Sequence, residues 1–376
     1  MKALLYPLVE GFWQSMAKKI QSARQGALVH LDFDSKILQS NPLKDPSSRS
    51  FPVYLPHAYD QSNRSKRRFT VLYDLVGFTG SGPSHTNWRN FEENVPEKLD
   101  RLIESGTMPP CIVVFPDCFT ALGGNQYINS SAIGRYADYL TKEIVPFIDR
   151  TFRTKADRAH RGCFGKSSGG YGAIVHAMKY PDTWGAVANH SGDAYFDFVY
   201  QASWPETLTT LQRYALSGRK SPPKEKSAKP GFDDGRIARF LADVHAREAL
   251  AGSDIMALMM ICMAATYDPD PGAPLGFRVP YDLNTGVKLE QRWAKWLRHD
   301  PIHMVREYRD NLKTSRGIYI DCGWRDQFHI HFGTRQLASV LNRHKITHRY
   351  LEFDGTHSGV DHRMDKSLPF LAKALR

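Results

Sequence analysis

Apolar and β-branched residues gather into short dense runs along the chain, and these alternate with longer stretches of helical period. Val71, Leu72, Leu75 and Val76 make one run; Ile112, Val113, Val114 and Phe115 make another. Both look like strands buried on both faces of a sheet. Runs at 28–33 and 51–55 lack long intervening helices and read as antiparallel edge strands. Further strands are expected at 161–164, 186–189, 318–321 and 350–353, with helices over 135–150, 168–179, 334–343 and from 367 onward. Such alternation predicts an α/β protein with a mostly parallel eight-stranded sheet flanked by helices.

Two stretches stand outside that rhythm. Phe12, Trp13, Met16 and Ile20 recur at helical spacing and predict an amphipathic N-terminal helix within 1–26, stopped at Gly26. The stretch 193–316 carries helical segments but no convincing strand, with a Tyr-Asp-Pro-Asp-Pro-Gly turn at 267–272. So long a strand-free stretch inside an α/β sheet predicts a helical cap insertion. The core is then 27–192 with 317–376.

Composition narrows the class. With 41% hydrophobic and 24% charged residues the chain is globular and has a sizeable core. Fifty Lys and Arg against 39 Asp and Glu give a net charge of +11. The densest basic runs, 64–68 and 219–229, lie where Ser, Pro and Asn mark loops, which favours solvated loops over nucleic-acid contacts. Five cysteines show neither a CxxC pair nor a Cys/His zinc spacing, so no metal and a reduced, cytoplasmic setting are expected. Pro7 and Glu10 interrupt the apolar start, which disfavours a secretory leader. The longest apolar stretch, 255–265, is too short for a membrane span.

The strongest chemical signal is Gly165-Lys166-Ser167-Ser168-Gly169-Gly170, a Gly-x-Ser-x-Gly motif between an expected strand and an expected helix. A nucleophile on so tight a turn needs small residues two positions before and after it, and Gly165 and Gly169 flank Ser167 at those offsets. For Ser168 that position would hold Lys166. A phosphate-binding turn is the weaker alternative, because the glycine spacing it requires is missing.

A serine nucleophile needs a base and an orienting acid, in the order Ser, Asp or Glu, His. Asp326 follows the strand ending near Asp321, and His357 follows the last strand behind Gly355. Asp193 is the runner-up acid, while His329 and His331 suit the substrate side or solvent. Backbone N–H donors for an oxyanion are expected at Ser168 and, in the Gly-rich loop after Val76, at Phe78.

With these residues the chain resembles the esterase branch of the α/β-hydrolase superfamily, which includes S-formylglutathione hydrolases, enterochelin esterases, feruloyl and acetylxylan esterase modules and mycolyltransferases. The resemblance runs from about Ser50 to the C-terminus, the cap excepted. It rests on Val53-Tyr54-Leu55-Pro56, Leu75-Val76-Gly77-Phe78, Phe115-Pro116-Asp117, the elbow, Gly323-Trp324-Arg325-Asp326 and Asp354-Gly355-Thr356-His357. It implies an α/β-hydrolase fold and a serine carboxylesterase acting on a small-molecule ester without cofactor. It further implies Ser167 as nucleophile, His357 as base, Asp326 as acid, and Phe78 and Ser168 as oxyanion donors.

Val76 departs from the His or polar residue that many hydrolases carry there, and the long cap is not general to the branch. Acyl transfer or thioester cleavage on the same triad is a second reading, and a non-catalytic binding module a third, weakened by the complete triad. His85 and Trp88, after the oxyanion loop, are candidates for the pocket entrance. In the cap, Met256, Met259, Met260 and Met263 suit an adaptable acyl pocket, with Met256 and Met260 named for substrate contact, although core packing is the commoner meaning.

Overall fold

The computed structural model describes residues 25–61, 66–216 and 233–376. The expected N-terminal helix and the basic run 219–229 lie outside the described residues. One sheet holds eight strands: β1 (Ala27–Asp34), β2 (Ser48–Leu55), β3 (Thr70–Leu75), β4 (Cys111–Val114), β5 (Arg161–Lys166), β6 (Ala186–His190), β7 (Gly317–Gly323) and β8 (Arg349–Phe353). Their order is β1-β2-β4-β3-β5-β6-β7-β8. β1 and β2 pair antiparallel with each other, and β2 with β4. All other pairs are parallel. This is the α/β-hydrolase arrangement, and it brings the loops after six strands to one edge of the sheet, where α/β proteins place their sites.

Alternate residues of β3 serve two apolar layers. Val71, Tyr73 and Leu75 face one core, together with Ile112, Val114, Val187, Ile318 and Ile320. Leu72 faces the other, formed with α1 (Val95–Glu104) and the C-terminal helix Met364–Ala374. α1 was not expected from periodicity. It is set by a capping box in which Asn94 accepts from the Glu97 N–H and the Glu97 carboxylate accepts from the Asn94 N–H. The expected helix 135–150 is divided by a π turn, Tyr139–Ile144. Pro146, on the following turn, has no N–H to continue an α ladder, and Val145 N–H reaches back to Leu140 O.

Ser168–Lys179 forms α2, directly behind β5. Between β6 and β7 the described residues contribute no strand to the sheet. They carry helices that include Trp204–Gln212, Arg236–Ala246, α3 (Gly252–Tyr267) and α4 (Pro301–Lys313). Phe196, Tyr200, Trp204, Tyr267 and Trp296 bury their rings against one another there. α4 packs beside α2, and Asn311 Nδ2 donates to Met178 O at 2.7 Å. That helix therefore belongs to the layer covering the sheet. Among the described residues no helix is long and apolar enough to cross a membrane.

A buried polar knot ties three elements together. His190 at the end of β6 bonds Asp321 of β7 through Nδ1 (2.6 Å) and the Ser367 hydroxyl through Nε2 (2.8 Å). Arg363 Nε donates to the second Asp321 oxygen at 3.0 Å. Burial pushes the Asp321 carboxyl up, but His190 and Arg363 outweigh it and hold the group below its ordinary 3.8. A depressed carboxylate lends stability that is present above its unfolded pKa and is lost as pH falls through the folded value. Asp321→Ala, which removes the carboxylate shared by His190 and Arg363, is expected to lose about 3–5 kcal/mol in urea unfolding at neutral pH. Below pH 4 the gap between variant and wild type should shrink.

Candidate active site

Ser167 lies between the last residue of β5 and the first of α2, with φ 57° and ψ −123°. A left-handed serine costs roughly 1–3 kcal/mol unless its surroundings impose it. Here its N–H donates to His190 O at 3.0 Å and its carbonyl accepts from Tyr171 N at 2.9 Å. A Cβ on Gly165 would lie 2.0 Å from Leu75 O, and one on Gly169 only 1.6 Å from it. Both glycines are therefore obligatory, and the turn presents Ser167 half-exposed. The Ser168 side chain points the other way, buried, its hydroxyl accepting from Gln126 Nε2 at 2.9 Å. Five of the eight left-handed non-glycine residues among those described, Tyr127, Ser167, Ser191, Tyr195 and His329, sit on loops at this edge. Backbone strain is thus concentrated where the sequence places the chemistry.

Asp326 follows β7 and His357 follows β8. Gly323 has no room for a Cβ against the Gly355 and Thr356 carbonyls, and Trp324 and Arg325 N–H donate to Phe353 O and Gly355 O, both at 3.0 Å. The β8 loop is thereby drawn across the end of β7, and His357 Nδ1 meets Asp326 Oδ2 at 2.7 Å. Asp326 Oδ1 accepts from Phe328 N at 2.9 Å, and the Phe328 ring stands edge-on to the imidazole with centroids 4.9 Å apart. Both partners are buried, so the ring has one orientation, with Nε2 left for a second partner.

Asp193, the alternative acid, is otherwise engaged. Its Oδ2 accepts from Tyr200 OH (2.8 Å) and Gln126 Nε2 (3.2 Å). Burial pushes its carboxyl up, and Tyr200, His357 and Gln126 only partly offset this.

The expected oxyanion donors border the same turn. A Cβ on Gly77 would stand 3.5 Å from Ser167 Cβ, so the Gly77–Phe78 peptide passes beside the serine. Ser168 is the first residue of α2, where an N–H has no intrahelical acceptor.

A family model described as "Putative esterase" matches residues 46–365. The chain belongs to this esterase family. Among curated proteins it is similar to the endo-1,4-beta-xylanase/feruloyl esterase of Xylanibacter ruminicola, 31% identical over 149 residues, which cover 38% of this chain and 19% of that protein. Esterase Rv1288 of Mycobacterium tuberculosis is 34% identical over 160 residues, covering 40% of this chain and 31% of that protein. The chain thus spans less than a third of the length of either relative. Among solved structures a ferulic acid esterase shares the fold, with a TM-score of 0.59 at 19% identity over 94% of this chain and 100% of that one.

Of the residues expected at the substrate, each has a distinct setting in the fold. His85 turns inward, its Nδ1 2.6 Å from the buried Asp74 carboxylate of β3. Trp88 is 78% exposed on a surface loop. Met260 is fully buried in the core with Met263, and Met256 is half-buried. His331 is buried, whereas His329 is exposed on the loop after β7. A second Ser-His-Asp set, Ser367, His190 and Asp321, has the bonding of a triad but is at most 2% exposed throughout, out of reach of any substrate.

Sequence reading passed over the segment 123–127, where Gly123-Gly124 was the available signal. A Cβ on Gly124 would lie 2.4 Å from Phe78 Cα, so this backbone lies directly against that of Phe78. The elbow contacts give a stability test: Gly169→Ala should cost about 3 kcal/mol or more. Gly252→Ala, whose Cβ meets nothing within 4 Å, should unfold at the wild-type urea concentration.

Proposed function

We propose that the chain is a serine carboxylesterase acting through an acyl-enzyme on Ser167. The observation that carries this reading is the His357–Asp326 bond at 2.7 Å, at the sheet edge that also presents the strained Ser167. Ser167 Oγ attacks the ester carbonyl while His357 Nε2 takes its proton; the carbonyl oxygen becomes an oxyanion facing the Phe78 and Ser168 N–H groups. Collapse expels the alcohol, which receives the proton from His357. Water then enters by the same path, His357 again acting as base, and the acid is released. Asp326 keeps Nδ1 protonated, so that Nε2 is the basic nitrogen, and stabilises the imidazolium.

The chain between β6 and α4 is assigned as a cap beside this site. Its support is the contact of α3 with the loops at the same edge: Cys262 Sγ lies 3.5 Å from Gly124 O, and Ser130 Oγ donates to Ala265 O at 2.6 Å. The cap then bounds the acyl side and sets the substrate. Because two of the similar proteins are named for feruloyl or ferulic acid esters, methyl ferulate belongs beside graded p-nitrophenyl esters in the assay.

Fluorophosphonate labelling and ester turnover test the reading together. Ser167→Ala should lose both while keeping its fold, and Ser168→Ala should retain much activity because only its backbone N–H takes part. A dead Ser168→Ala beside an active Ser167→Ala would reverse the assignment. Asp326→Asn and His357→Ala should each lower kcat by about 10⁴, with little further loss when combined with Ser167→Ala, since the three act as a unit. Near-normal turnover in Asp326→Asn would transfer the acid role to Asp193.

A further inference from the structure

The two oxyanion donors come from different elements, Phe78 from the loop after β3 and Ser168 from the start of α2. Their spacing is therefore a tertiary property, and one side chain spans the gap. Tyr127 is 2% exposed, and its hydroxyl donates to Val76 O at 2.7 Å, one residue before Gly77. Its carbonyl accepts at 2.7 Å from Nε2 of His176, on α2. Trp184 Nε1 donates to His176 Nδ1 at 2.9 Å, which leaves Nε2 as the protonated nitrogen. Burial pushes His176 down to about 4, so the ring is neutral and this tautomer persists at working pH.

The ring of Tyr127 occupies a notch in α2. A Cβ on Gly172 would stand 2.7 Å from Tyr127 Cδ2, so the side chain lies directly against the helix backbone. The residue has φ 58°, a left-handed conformation that a bulky residue adopts only under constraint. Its N–H donates to Asn125 Oδ1 at 2.5 Å, which holds the turn. The preceding residue reaches the other donor: Gln126 Nε2 bonds the Ser168 hydroxyl. Gly124 supports Phe78 from beneath. One short segment thus touches both halves of the oxyanion site while supplying neither donor.

We propose that Tyr127 is a positioning residue, a strut between α2 and the β3 loop that fixes the separation of the Phe78 and Ser168 N–H groups. The inference rests on the esterase reading above. The hydroxyl holds the Val76–Gly77 peptide from one side, the backbone carbonyl holds α2 from the other, and the strained φ keeps both contacts on one residue. Oxyanion donors act by being in place before charge develops, so a strut of this kind affects the transition state more than the bound ester.

Tyr127→Phe removes only the contact to Val76 O. It should lower kcat about tenfold to a hundredfold, the scale of a donor displaced by about 1 Å. KM should stay within about threefold, because ground-state binding is untouched. Affinity for a trifluoromethyl ketone, which adds Ser167 to form a tetrahedral oxyanion, should fall by the same factor as kcat/KM, whereas affinity for the carboxylate product should not. Rates are taken per active site titrated in the wild-type-like folded fraction. Gly172→Ala, which pushes the ring out of its notch, should act in the same direction and add little to Tyr127→Phe. A folded Tyr127→Phe with wild-type kcat, or one that loses turnover without losing ketone affinity, overturns the proposal. If Tyr127→Phe does not fold, unchanged ketone affinity in Gly172→Ala overturns it. Undiminished turnover in Ser167→Ala would overturn the esterase reading with it, whereas a Ser167-dependent enzyme indifferent to Tyr127 would remove this proposal alone.

Discussion

The carbonyl of Leu75 governs the site. It ends β3 in contact with the turn from β5 into α2, so close that neither Gly165 nor Gly169 has space for a methyl group. This approach follows from the parallel pairing of β3 with β5, where Leu75 lies opposite Gly165. With the two elements in backbone contact, the loop leaving β3 has to pass Ser167, and the first free N–H of α2 has to face that loop. The left-handed serine is the conformational cost of the contact, and the bonds from Ser167 to His190 and Tyr171 keep it in place.

Buried carboxylates surround this contact, and their partners separate structure from chemistry. Asp321 is tied to His190 and Arg363 and has no access to solvent. Asp74 meets His85 alone, and its Oδ1 has no partner. Asp193 has only neutral donors. Asp326 is bonded to the histidine on the loop after β8, at the edge where Ser167 is presented. Residue types therefore do not single out the proposed triad, since Ser367, His190 and Asp321 reproduce its composition in the core. What distinguishes the proposed catalytic set is an accessible serine on a turn that no larger neighbours could form.

Much of this was legible in the chain. The six inner strands follow from apolar runs because their neighbours bury them, β1 and β8 carry the pattern while only half-buried, and Gly-x-Ser-x-Gly is legible because the steric demand falls on fixed offsets. Asp326 and His357 follow from their places after strands. α1 was hidden because its signal is a cap, Asn94 to Glu97, and not a long apolar stripe. The bond from His85 to Asp74 was hidden because Asp74 lies eleven positions earlier in a strand, and no local pattern pairs them. Tyr127 and Gln126 have no periodicity at all; their roles exist only once α2, β3 and the 123–127 segment are packed together.

That packing also bears on how the proposed cap would alter substrate choice without altering chemistry. α3 does not touch the triad through its described hydrogen bonds; it touches the segment beneath the oxyanion loop, through Cys262 to Gly124, Met263 to Gln126 and Ala265 to Ser130. Tyr200 and Tyr267 continue the same surface into the aromatic cluster, with their hydroxyls 3.2 Å apart. On the proposed reading, a rigid cluster placed there shapes the acyl side while bracing the segment assigned to space the donors. Close-packed interiors transmit such displacements instead of absorbing them, so side chains of α3 far from Ser167 can change the rate and the acyl preference together.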